Sequence, residues 1–196
     1  MIKILNLSDR QKFLDMMYEI DTVMGQPMDT VGSLTGRSRR QILSDYLIDS
    51  WLQYPDSVTR RNIGWFHNDE LKAVLFQDFS KTVKAWSISY YFSSCGNLLG
   101  RQAGGECLDF ALTEAERLNY YEYYRVIEAS KYKAFDRYAI SKLRHRYELV
   151  LDETVPAHEK PMTSLSWNWL FEGSAKSIDT VIVKGLLKQE FRPNTI

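Results

Sequence analysis

The spacing of apolar residues changes period midway along this chain, and that change restricts what the chain can fold into. From residue 38 to 53 the pattern is helical: Ile42, Leu43, Tyr46, Leu47 and Trp51 recur at the helix repeat before Tyr54 and Pro55. From residue 62 to 92 it alternates. The runs 62–66 and 71–79 flank a polar turn at 67–70, which is the signature of a hairpin. A third run, 85–92, extends the meander, with Trp86, Ile88, Tyr90 and Phe92 expected on one face. A glycine-rich stretch at 93–105 follows and predicts a loop, with a helix from 106 to about 121. Then come a short strand at 124–129, a helix at 134–146, and strands at 147–155 and 180–187. A parallel neighbour needs a long crossover, so the helix at 106–121 predicts strand 124–129 parallel to 85–92.

The N-terminal part adds a short strand at Ile2, Ile4 and Leu5. Ser8 is the expected N-cap of a helix carrying Phe13, Leu14, Met17 and Ile20. Residues 25–36 predict a loop, and 38–53 a second helix. The element order is β-α-α-β-β-β-α-β-α-β-β, an α/β (α+β) chain with a mixed sheet and helices on both faces. Its 196 residues suit a single domain, 1–196, with an extended connection at about 156–179 that holds Trp167, Trp169 and Phe171.

Charge narrows the partners. Lys plus Arg and Asp plus Glu number 25 each, so no global field draws nucleic acid or an anionic membrane. No run approaches the roughly 18 apolar residues of a membrane helix. The first residues, interrupted by Asp9 and Arg10, lack the apolar run of a signal peptide. Cys95 and Cys107 form no disulfide framework, and His67, His145 and His158 show no zinc-ligand spacing. Free thiols, a cytoplasmic location and no metal are the expectations.

The Ser93–Leu118 stretch carries most of the functional information. A glycine-rich turn between strand and helix can present backbone N–H groups to a phosphate at the positive end of the helix dipole. No Gly-Lys-Ser/Thr follows, so it is no P-loop, and Gly-x-Gly-x-x-Gly is absent. Gln102-Ala103-Gly104-Gly105-Glu106-Cys107 resembles the Gln/Arg-x-x-Gly-x-Gly/Ala signature of the GNAT acetyltransferase superfamily, with Cys107 in the last small place. A register from Arg101 also puts Gly104 in the glycine place. The Gln102 register sets Cys107, Phe110, Ala111 and Leu118 along the buried helix face. Downstream, Ala134-Phe135-Asp136-Arg137-Tyr138 is similar to that family's Ala-x-x-Leu-Tyr, with Arg137 in the Leu place.

The resemblance implies a GNAT-like fold with an antiparallel meander and a Gly-rich loop–helix crossover. It implies acetyl-CoA as co-substrate, held by Gln102, Ala103, Gly104, Gly105, Glu106 and Cys107. It also implies an amine acceptor of a small molecule or protein, Tyr138 as general acid for the leaving thiolate, and an oxyanion donor on the main chain near 89–92. Asp78, His67 and Glu128 are available as a base, with no pattern to choose among them. Trp86, Tyr90, Tyr91 and Phe92 could line an acceptor groove, although sheet core is their ordinary role. The basic run Lys131, Lys133, Arg137, Lys142, Arg144 and Arg146 reads by default as a solvated helix face. Two alternatives accompany the acyltransferase expectation: a non-catalytic GNAT-like binding module, and a nucleic-acid-associated protein, which net neutrality opposes. Homo-oligomerisation is left open.

Overall fold

A computed structural model describes residues 1–22, 60–81, 84–128, 134–155 and 180–192. The expected second helix at 38–53 and the connection at 156–179 lie outside the described residues. The chain opens with β1 (Ile2–Ile4), a 3-10 turn (Leu7–Asp9) and α1 (Arg10–Thr22). The expected cap at Ser8 is corrected to Asn6. The Asn6 carboxamide accepts from the Ser8 N–H at 2.9 Å, and the Asp9 carboxylate accepts from the Asn6 N–H at 3.1 Å. Asn is among the strongest N-caps, and this reciprocal pair is a capping box.

The meander forms as alternation predicts. β2 (Arg60–His67), β3 (Glu70–Ser80) and β4 (Ala85–Ser93) pair antiparallel. Asn68 and Asp69 turn the first hairpin at φ 50° and 62°, a left-handed conformation these two residue types tolerate better than most. The crossover helix α2 (Asn97–Arg117) leads to β5 (Glu122–Glu128), which is parallel to β4. α3 (Ala134–Arg146), β6 (Tyr147–Val155) and β7 (Thr180–Leu187) follow, and among the described residues the sheet has seven strands, ordered β1-β2-β3-β4-β5-β7-β6. No described helix is long and apolar enough to cross a membrane.

Two apolar layers sandwich the sheet. On one face α1 sets Phe13, Met16, Met17 and Ile20 against Leu5, Phe66, Leu71, Val74 and Phe76. On the other, α2 and α3 cover Ile63, Leu75, Trp86, Ile88 and Tyr123. β4 departs from strict alternation. The register shifts between Phe76↔Tyr90 and Gln77↔Ile88, leaving Ser89 as the extra residue of a β-bulge. The expected single face of Trp86, Ile88, Tyr90 and Phe92 is therefore corrected. Trp86 and Ile88 join the α2 layer, and Phe92 packs with the α1 layer.

α2 is tied to the sheet by polar bonds as well as by packing. Gln77 Nε2 donates to the Ala111 carbonyl at 2.6 Å. Buried Arg61 on β2 meets the Glu114 carboxylate at 3.4 Å, and Arg117 grips the same carboxylate through two 2.9 Å bonds. The Arg117 bonds hold Glu114 below its ordinary value of 4.5, with burial opposing and Arg61 adding to the effect. A carboxyl depressed in the fold stabilises it above its unfolded pKa, and that contribution is lost as pH falls through the folded value. Urea unfolding in steps from about pH 7 to about pH 3 should thus show an acid loss that shrinks in Glu114→Gln. Identical acid limbs in the two proteins would remove Glu114 from the account.

Candidate active site

β4 and β5 pair in parallel over only two residue pairs, Ala85↔Glu122 and Trp86↔Tyr123. Beyond Trp86 the strands separate, and β5 continues instead on β7. Crevices outside the carboxyl ends of parallel strands are where α/β sheets bind ligands. α2 starts soon after β4 ends, and α3 starts soon after β5, so both helix N-termini flank this split.

The helix begins earlier than glycine content predicts. α2 starts at Asn97, so the expected loop 93–105 is corrected and Gln102–Cys107 lies within the helix. Glycine inside a helix costs about 1 kcal/mol relative to alanine. Close packing requires it here. A Cβ on Gly104 would lie 3.2 Å from Phe135 and 3.3 Å from Tyr91, and one on Gly105 would lie 2.7 Å from the Tyr138 hydroxyl. Phe135 and Tyr91 stack with ring centroids 4.1 Å apart, and the Tyr91 hydroxyl donates to the Gly100 carbonyl at 2.9 Å. An aromatic pair thus runs from β4 to α3 beside the split, seated on Gly104.

Helical N–H groups at 102–107 donate back along the helix. The first such bond is Gly100 N–H to Gly96 carbonyl, 2.8 Å. The donors without a helical acceptor are therefore at Asn97, Leu98 and Leu99. Gly96 caps the helix in extended conformation, with no side-chain hydrogen bond, and Leu98 is 84% exposed.

The predicted site residues have separate surroundings. Ala103 and Cys107 are core, and burial pushes the Cys107 thiol up to about 12. Gln102 Nε2 donates to Glu106 at 2.8 Å, and Glu106 also accepts from Trp65 Nε1 at 2.8 Å. Those bonds, Gln102 first, lower the Glu106 pKa. Its charge thus serves a clasp between β2 and α2. Tyr138 is partly exposed, with its hydroxyl over Gly105 and bonded to Lys142, whose ammonium also reaches Asp109 at 2.7 Å. His67 stacks on Trp65 at the outer end of β2. Glu128 ends β5, and Asp78 lies mid-sheet on β3, opposite Ser87. In the basic helix, Lys142 and Arg146 pair with Asp109 and Glu116 of α2, while Arg137 and Arg144 are exposed.

One cluster carries no sequence signal. Arg125 of β5 meets Asp136 in the first turn of α3, an almost fully buried pair. Arg125 also bonds the hydroxyl of buried Tyr123, which accepts from the Ile88 main chain of β4. Desolvation, the largest cause, raises the Tyr123 pKa. This polar chain crosses the split where the parallel ladder stops.

No protein-family model matches this chain, and no curated protein is significantly similar to it in sequence. Solved structures are similar in three dimensions. YncA from Salmonella typhimurium, solved with its cofactor acetyl-CoA, aligns with TM-score 0.59 and 11% identity over 100% of this chain and 98% of that one. An acetyltransferase of GNAT family from Streptococcus pneumoniae aligns with TM-score 0.56 and 10% identity, over 96% and 99%. Ribosomal-protein-alanine N-acetyltransferase from Brucella melitensis gives 0.55 and 13%, over 95% and 99%. This chain has the GNAT fold. The meander, the crossover helix and the parallel pairing of β4 with β5 are the features that the sequence pattern anticipates.

The glycine contacts within this GNAT fold can be tested directly. Valine at Gly104 must displace the Phe135–Tyr91 stack, and overpacking of this kind costs about 1–3 kcal/mol. A lower urea midpoint with an unchanged slope is the expected result. Undiminished stability would mean that the stack does not rest on Gly104.

Proposed function

We propose that this protein is an acyl-CoA-dependent N-acyltransferase that moves an acetyl group from acetyl-CoA to an amine. The observation that carries the reading is the split between β4 and β5, with the uncapped α2 N-terminus at its mouth. The acetyl-CoA bound by YncA, a protein of the same fold, supports it. In this reading the diphosphate takes the free N–H groups at 97–99, where the helix dipole favours anions, with exposed Arg101 nearby. Ala103–Cys107 then act as packing beneath that site, although the motif match points to them as the ligand contacts.

The thioester would extend along the split, and acyl transfer asks little more than orientation and charge stabilisation. The β4 main chain past Trp86 has no strand partner on the β5 side, and its N–H groups are the proposed donors to the oxyanion. Tyr138 is the proposed acid for the departing thiolate. Its hydroxyl faces α2, and an unperturbed tyrosine near pKa 10 is protonated at neutral pH. A non-catalytic binding module is the second reading, favoured by the Lys142 contact that already occupies that hydroxyl. Calorimetric titration with acetyl-CoA, followed by product detection with an amine panel, separates the two.

Two variants probe the parts. Leu98→Asp places a carboxylate on the free N–H groups. It should weaken acetyl-CoA binding about tenfold while raising stability by about 0.3–1 kcal/mol. Both effects falling in the same direction would count against a phosphate site there. Tyr138→Phe should bind acetyl-CoA normally and turn over on the order of 10²-fold more slowly. Equal turnover would make Tyr138 a packing residue.

A further inference from the structure

Tyr138 is held by more than packing. On α3, Tyr138 and Lys142 stand four residues apart and share one face of the helix. On α2, Gly105 and Asp109 repeat that spacing. The two pairs meet in step. The Tyr138 hydroxyl lies over Gly105, and the Lys142 ammonium reaches both Asp109 oxygens at 2.7 Å. The ammonium also bonds the Tyr138 hydroxyl and stands 5.9 Å from the centre of the Tyr138 ring. Carboxylate, ammonium and phenol therefore form one polar row along the contact between the helices. Phe135, one turn earlier on α3, stacks on Tyr91 of β4, so this side of α3 adjoins the split.

The row differs from an ordinary surface ion pair. Gly105 makes room for the polar end of the tyrosine. A Cβ there would lie 2.7 Å from the hydroxyl oxygen, 3.7 Å from the ring carbon that bears it and 3.9 Å from the Lys142 nitrogen. The bond between Lys142 and Tyr138 also has a direction. An ammonium only donates, so it takes a lone pair of the phenol oxygen and leaves the phenol's own proton free. Burial works against the Lys142 charge, yet the bond to Asp109, the Asp109 charge and Tyr138 raise its pKa above the ordinary 10.5, and it remains an ammonium. Asp109 keeps 63% of its side chain exposed. Pairs so exposed add little to stability, so variants of this row should remain folded.

Resting on the acyltransferase reading with Tyr138 as its acid, we infer that Lys142 and Asp109 are positioning residues for that acid. Asp109 fixes the ammonium, and the ammonium fixes the phenol oxygen and meets the negative charge that grows on it. The amine nitrogen forms the N–C bond and loses its proton to solvent. The C–S bond breaks, its electron pair stays on sulfur, and the sulfur takes the phenol proton. The phenolate left behind lies against the Lys142 ammonium until it regains a proton from solvent. A charge already in place when the phenolate forms costs no reorganisation at that moment.

The test is a double-mutant cycle on the full chain, with acetyl-CoA, a panel of primary amines, and circular dichroism to confirm folding. Lys142→Met should keep the acetyl-CoA Kd and the amine KM and lose about tenfold in kcat. Lys142→Arg should recover part of that loss, and Asp109→Asn should show a smaller one. In a Tyr138→Phe background Lys142→Met should cost nothing further, because the hydroxyl it serves is gone. A kcat loss of equal size in both backgrounds would make Lys142 a structural link and overturn the inference. Wild-type kcat in Lys142→Met would overturn it as well. Wild-type kcat in Tyr138→Phe would remove the acid itself. A wild type that binds no acetyl-CoA, or acetylates no amine, would defeat the acyltransferase reading, and the inference falls with either.

Discussion

The two-pair parallel contact between β4 and β5 is the constraint on which the rest of this molecule depends. A continuous sheet would bury every ladder group and leave no crevice. Here the antiparallel meander on one side and the β5-β7-β6 unit on the other meet at Ala85, Trp86, Glu122 and Tyr123 and then part. Trp86 secures the junction. Its ring packs edge-on to Tyr123 at 4.8 Å, and its Nε1 donates to the Tyr147 hydroxyl at 3.1 Å, tying β4 to β5 and β6. The divergence creates the only parallel-strand crevice among the described residues, and the crossover brings a helix N-terminus to its mouth.

That arrangement explains the glycines of α2. To reach β5, the helix must pass beneath the split while α3 descends beside it. The facing side chains are the rings of Phe135, Tyr91 and Tyr138. A Cβ at either position would press on these rings, so Gly104 and Gly105 trade helix propensity for contact. Tertiary packing gives glycine a reason at these places. The helix can then extend back to Asn97, which moves its free donors toward the carboxyl end of β4.

Much of the fold is legible in the sequence because it rests on period. Strands 147–155 and 180–187 have the predicted limits, and the meander and the parallel β5 follow from alternation and crossover length. The glycine run is misleading because local composition cannot distinguish a loop glycine from one pressed by another helix. The bulge at Ser89 is invisible for a similar reason: it depends on how β4 meets β3. Site residues suffer most. Asp136 is the lone acid of a basic stretch, with nothing local to mark its burial against Arg125. Asp78, His67 and Glu128 carry no local sign to rank them, because cross-strand register, which sets Asp78 opposite Ser87, is not written in local sequence.

The buried polar chain across the split follows from the same constraint. Diverging strands strand backbone groups, and a buried N–H without a partner is costly. The Ile88 main chain, just past the last paired residue, finds the Tyr123 hydroxyl in place of a β5 carbonyl. Tyr123 needs a second polar neighbour in so apolar a layer, and Arg125 supplies it. Arg125 in turn needs a counter-charge, and Asp136 supplies that from the first turn of α3, where the helix dipole also favours a carboxylate. A buried ion pair is seldom a net source of stability, because desolvation consumes most of the Coulombic gain. Its contribution here is geometric. Tyr123 and Arg125 each join two neighbours of the chain, so β4, β5 and α3 are tied together where no ladder bonds hold them. The width of the crevice, and with it the place of Phe135 and Tyr138 above α2, is set by four groups that must all be satisfied together.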